Sequence, residues 1–69
     1  MVDVHKLRGI IAERGFSQRK IAEAIGMNEK TFYRKMAAGV FGSDEIDSMI
    51  RILGIKTPSE MCDIFFPVK

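Results

Sequence analysis

The chain has 69 residues, 46% of them hydrophobic, with no Trp, one cysteine and a formal net charge of +2. That length makes one small domain over residues 1–69, with a core marginal in size and built mainly from Ile, Leu, Met and Phe. The single Cys62 excludes an internal disulfide and lacks zinc-ligand companions, and no apolar run approaches the ~20 residues that span a bilayer.

Asp3 is placed to cap a first helix over residues 4–14, in which Val4, Leu7, Ile10 and Ile11 recur on one face. Gly15 supplies a left-handed residue just past its end. His5 lies off the apolar stripe, with no Cys, Ser or second His beside it, and reads as a solvated surface side chain. Ser17 caps a second helix over residues 18–25, which turns Ile21, Ala22 and Ile25 inward, and the chain reverses at Gly26. Asn28 caps a third helix over residues 29–37 that buries Phe32 and Met36 one turn apart and leaves Glu29, Lys30, Tyr33 and Arg34 on its other face. Phe16 with Ile21, and Met27 with Phe32, have the spacing of hydrophobic staples, which set the angle at which the chain enters each helix.

Residues 38–42 form a loop from which Phe41 plugs back into the core. Ser43 is expected to cap a fourth helix, with Asp44 and Glu45 at the positive end of its dipole. Ile46, Met49, Ile50 and Leu53 keep helical spacing until Gly54 stops the helix. A fifth helix starts at Thr57, with Pro58 at its first position and Glu60 completing a capping box. Met61, Ile64 and Phe65 then face one way, Phe66 follows, and Pro67 ends the helix. The expected fold is all-α with five helices, no strands, no internal repeat and no low-complexity segment.

Two capped, stapled helices a few residues apart, from Ser17 to Met36, are the local signature of a helix-turn-helix. This stretch resembles the helix-turn-helix of phage Cro and repressor proteins and their bacterial transcription-factor relatives, on the strength of Gln18, Ile21, Ala22, Ile25, Gly26, Met27 and Phe32. The run from Phe41 to Ile46 and the closing Leu53-Gly54-Ile55 are similar to the fourth helix of that family, so the resemblance covers residues 4–66. The segments Thr31–Met36 and Asp63–Phe66 look most like small Cro-like regulators of phages and prophages of Gram-positive bacteria. One departure stands out: three residues after Phe32, where the family carries an aliphatic side chain, this chain has Lys35, and Met36 is expected to take over the packing.

The resemblance implies a five-helix, lambda-repressor-like domain that regulates transcription by placing its third helix in the major groove of a two-fold DNA operator. Carried over position by position, Glu29, Lys30 and Arg34 would meet base edges. The guanidinium fork of Arg34 matches guanine O6 and N7, and Lys30 can donate to the same base. Glu29 can accept from a cytosine amino group, although a carboxylate is favoured in a first helical turn in any case. Gln18, Arg19, Asn28, Thr31, Tyr33 and Lys35, with backbone amides near Gly39 and Gly42, are the candidates for phosphate contact; the plain alternative for each is a solvated face. Charge supports the polyanion reading: residues 1–35 carry eight Lys/Arg against four Asp/Glu, a balance of +4, and residues 36–69 carry three against five, a balance of −2.

A two-fold operator calls for a homodimer, and Phe65 and Phe66 are the candidate interface, because adjacent helical residues cannot both face one core. The alternative is that Pro67 and Val68 cover both rings. Cys62 is expected as a small buried or half-buried residue. The polar, helix-like N-terminus is unlike a signal peptide, so a soluble, reducing, cytoplasmic setting is the expectation. No catalytic set or phosphate-cradling glycine loop is present, so neither enzymatic activity nor a cofactor or metal is expected. The rival function is a protein-binding accessory factor or antirepressor that keeps the fold without an operator, favoured by the acidic Glu29 among the base-reading positions.

Overall fold

Four of the five segments begin where a polar side chain takes up an orphan backbone N–H. In the computed structural model, which describes residues 1–67, Asp3 Oδ1 accepts from the N–H of Lys6 (3.2 Å) and opens α1 (Val4–Glu13). Ser17 Oγ accepts from Lys20 (3.1 Å) at α2 (Gln18–Ala24), and Asn28 Oδ1 accepts from Lys30 (2.8 Å) at α3 (Glu29–Ala38). Thr57 Oγ1 accepts from Glu60 (3.3 Å) at α5 (Pro58–Phe65). The remaining helix, α4 (Ser43–Leu53), starts differently from expectation. Ser43 is already inside it, and the cap residue is Gly42, whose N–H donates to the Glu45 carboxylate at 2.7 Å. The capping box expected at Glu60 is also only half made, because the Glu60 carboxylate lies 3.6 Å from Arg14 instead. Among the described residues there is no strand.

The helices end by a shared device. At the ends of α1, α2, α3 and α4 a glycine with positive φ (Gly15, Gly26, Gly39, Gly54) is followed by a residue whose N–H returns to a carbonyl of the last turn. The bonds Phe16 N–H to Ile11 O (3.0 Å) and Met27 N–H to Ala22 O (2.8 Å) are two of them. Phe16, Met27 and Ile55, the residues after three of these glycines, pack on or in the core, whereas Val40, after Gly39, is 60% exposed.

One core joins the helices. Leu7 and Ile11 of α1, Ile21 and Ala22 of α2, Phe32 and Met36 of α3, Met49 and Leu53 of α4, and Ile64 and Phe65 of α5 are buried together with Val2, Phe41 and Ile55. The expected plug is present, with the Phe41 ring 5.6 Å from that of Phe32. Along the chain, α2 packs on α3, and α1 packs on α5 and α2. The first three residues form a strap outside the helices: Val2 N–H donates to Gly39 O (2.8 Å) and Asp3 N–H to Ile64 O (2.7 Å), linking the ends of α3 and α5. Cys62 is exposed, contrary to expectation, because α5 spends its inward positions on Ile64 and Phe65. Val68, invoked above as a cover, lies outside the described residues.

Two glycines separate conformational from steric effects. Gly26 has φ +75° and Gly9 sits within α1, and neither would bring an added Cβ within 4 Å of another atom. Gly26→Ala should therefore cost roughly 1–2 kcal/mol through left-handed strain alone, whereas Gly9→Ala should stabilise by about 0.5–1 kcal/mol. Urea unfolding of the two variants beside the parent reads both signs.

Candidate nucleic-acid interface

Because successive residues of an α-helix turn by about 100°, burial of Phe32 and Met36 dictates where every other side chain of α3 points. Lys30 and Arg34 fall opposite that buried stripe, one turn apart, and both are exposed. Glu29 and Tyr33 lie along one flank, also exposed, and Thr31 and Lys35 along the other, both half-buried. The two flanks face different neighbours.

On the Tyr33 side the neighbour is α2. A hydrogen-bonding carboxylate on Glu29, one turn earlier, raises the Tyr33 hydroxyl above its ordinary pKa, and the nearby positive charge of Arg19 opposes this. Arg19 also lies 3.5 Å from Glu23 in an exposed pair one turn apart, which contributes only about 0.3–0.5 kcal/mol and is easily exchanged for another anion. Gln18, in the first turn of α2, is half-buried, and Lys20 is exposed. Asn28 spends its Oδ1 on the cap of α3, which leaves its amide N–H₂ to donate outward.

On the Lys35 side the neighbour is α4. The Lys35 ammonium donates to Glu45 Oε2 at 2.6 Å, while Oε1 of the same carboxylate accepts from Gly42 N–H. Two sequence-based phosphate donors are therefore engaged within the protein, the ammonium of Lys35 and the amide of Gly42. The amide of Gly39 is likewise taken up, by carbonyls of Lys35 and Met36. Arg14 is a further cation committed to structure: its Nε donates to Leu53 O at 2.9 Å, at the negative end of α4, and its guanidinium meets Glu13 and Glu60. Lys20, Lys30 and Arg34, by contrast, form no ion pair among the described residues.

A second surface feature lies at the far end of α3. Met1 (87% exposed), Val40 (60%) and Phe66 (58%) are large apolar side chains in solvent around a shallow hollow of about 210 Å³, floored by Val2, Phe41 and Phe65. Of the two candidate interface rings, Phe65 is sealed in the core at 2% exposure and Phe66 is the one presented outward. Sequence reasoning missed Met1 and Val40, because neither belongs to a periodic stripe.

Comparison with family models, with curated proteins and with solved structures finds no match to this chain. No group of His, Cys, Asp and Glu among the described residues is arranged to hold a metal ion, and no helix there is long and apolar enough to cross a membrane.

The Glu45 carboxyl is held below the usual glutamate range, first by its hydrogen bond from Lys35 and then by the Gly42 N–H, against an opposing effect of partial burial. A carboxyl whose folded pKa is lowered stabilises the fold above its unfolded pKa and loses that contribution as pH falls through the folded value. Glu45→Gln should therefore be about 1 kcal/mol less stable than the parent at neutral pH. The gap should close as pH falls from about 5 to about 3, which paired urea titrations across that range would measure.

Proposed function

We propose that this chain is a sequence-specific double-stranded DNA-binding regulator of transcription of the phage Cro and repressor type. In this reading α2 and α3 act as a helix-turn-helix, and α3 enters the major groove. The observation that carries it is the outer face of α3: Lys30 and Arg34 project one turn apart, exposed and unpaired among the described residues, from a helix whose opposite face is anchored by Phe32 and Met36. A major groove admits one such helix, and a cation stripe at its centre suits the guanine edge. Arg34 is the bidentate guanine reader, Lys30 supports it, and Glu29 accepts from a cytosine amino group. Gln18, Arg19, Asn28, Thr31 and Tyr33 flank the stripe and hold phosphates, which position the helix without specifying sequence. The open Lys20 adds diffuse attraction.

One helix reads few base pairs, so the active species is a homodimer on a two-fold operator. Phe66, with Val40 and Met1 beside it, is the surface for the second copy. The rival reading, an accessory protein or antirepressor, draws on Glu29, whose charge is repelled by DNA unless a base amino group meets it. Fluorescence anisotropy on random duplex at two salt concentrations separates the two functions. Steep weakening with salt supports DNA binding, and no binding at low salt supports the rival.

Arg34→Ala should cost roughly 1–3 kcal/mol on a duplex selected by the parent chain and relax preference at one base pair. A gel-shift titration in which the variant matches the parent would remove Arg34 as the reader. Phe66→Ser should shift sedimentation towards the monomer; unchanged mass at micromolar concentration would place the dimer surface elsewhere.

A further inference from the structure

We propose that Lys35 is a positioning residue rather than a phosphate ligand, and that its ion pair with Glu45 sets the rotation of α3 about its own axis and so the aim of Arg34. The inference rests on the DNA-binding reading above and concerns how that site acquires specificity.

The inner face of α3 is narrow. Only Phe32 and Met36 are fully buried on this ten-residue helix, and they lie on one line along it. Two knobs on one line fix how deep a helix sits but resist rolling about that line poorly. A roll of about 20° carries a side-chain tip near the helix surface through about 2 Å, since the helix with its side chains is some 10–12 Å across. That displacement exceeds the whole window of a good hydrogen bond, about 0.5 Å wide. The packing of α2 along the Tyr33 flank limits the roll from one side, and a contact on the opposite flank must limit it from the other if Arg34 is to meet one guanine.

The Lys35–Glu45 pair is placed to do this. Lys35 stands on the flank of α3, off the buried line, and reaches Glu45 of α4 at 2.6 Å with both side chains only about a third or less exposed. Glu45 is itself immobilised, because its other oxygen takes the Gly42 N–H at the start of α4. The far end of α3 is secured separately, by the Val2 N–H on Gly39 O, and that bond lies at the helix end, where it limits tilt more than roll. Lys35 immediately follows Arg34, so any roll that strains the ion pair moves the guanidinium with it.

The test uses two duplexes, one selected from a random pool by the parent chain and one random. Titrations run at several salt concentrations with the parent, Glu45→Gln, Lys35→Gln and the double variant, at a temperature where thermal unfolding shows all four folded. The expected result is that each single variant lowers the selected-to-random affinity ratio by about tenfold, comparable to one mismatched base pair. The salt slope should stay unchanged, and the double variant should be no worse than either single one, as for two residues acting as one unit. The inference is overturned if Glu45→Gln binds the selected duplex as tightly as the parent or more tightly. It is equally overturned if Lys35→Gln weakens both duplexes alike and lowers the salt slope by about one, the mark of a lost phosphate contact. Failure of the parent to bind either duplex at low salt removes the DNA-binding reading itself, and this inference with it.

Discussion

Complete burial of Phe32, with the Phe41 ring folded back against it at 5.6 Å, is the contact on which the arrangement of this small domain depends. In a chain of 69 residues the core is small enough that one aromatic side chain decides whether a helix has an inside. Phe32 gives α3 its inside, and Phe41 draws the α3–α4 connection under the same core. The outer face of α3 follows from that anchorage: which residues point out, which lie on the flanks, and which neighbour each flank meets. A Phe32 truncation would be expected to cost on the order of 3–5 kcal/mol, a large share of what a domain this size has.

The helices and most of their ends, the start of α4 excepted, were legible in the sequence because they are written in local chemistry. Asp3, Ser17, Asn28 and Thr57 cap by reaching two or three residues along the chain, and the glycines after four helices close the last turn with bonds of equally short range. What could not be read depends on parts of the chain far apart in sequence. Arg14 counts as basic charge until its guanidinium is seen on the carbonyl of Leu53, 39 residues away. Lys35 counts as an open cation until it is found paired with Glu45. Glu60 has the spacing of a capping box, yet a distant arginine offers its carboxylate a charged partner in place of a neutral amide. The N-terminal strap escaped for a similar reason: Val2 is buried by what comes to it from α3 and α5, and no periodicity announces that.

Charge bookkeeping is altered in the same way. The balance of +4 over residues 1–35 overstates the field available to a polyanion, since Arg14 and Lys35 are met by carboxylates from outside that segment, Glu60 and Glu45. The cations left open on α2 and α3 are Lys20, Lys30 and Arg34. That smaller set is more informative than the total. Two of the three lie on the outward line of α3, the face that Phe32 turns to solvent, while Lys6 and Arg8 on α1 are likewise exposed and unpaired among the described residues.

So short a line of open charge bears on why an apolar patch would be kept at the other end of the same helix. In the proposed DNA-binding reading, a few phosphates neutralised by one copy would release few counterions, each contributing a salt slope of only about 0.9, and a single copy would bind weakly at physiological ionic strength. Under that reading a second copy would double the contacts, and it would require surface that one copy leaves unsatisfied. Val40 is exposed apolar surface at the one of these four helix ends where the residue after the glycine is not packed inward, as Phe16, Met27 and Ile55 are at theirs. The local rule that would bury Val40 is broken next to Phe66 and Met1, and violations of local consistency are expected where a surface serves something other than its own fold. The strap from Val2 to Gly39 joins that patch directly to the end of α3. A second copy seated on Phe66 would therefore press on the same helix whose outer face carries Lys30 and Arg34, making the angle between two such helices a property of the apolar contact rather than of the DNA.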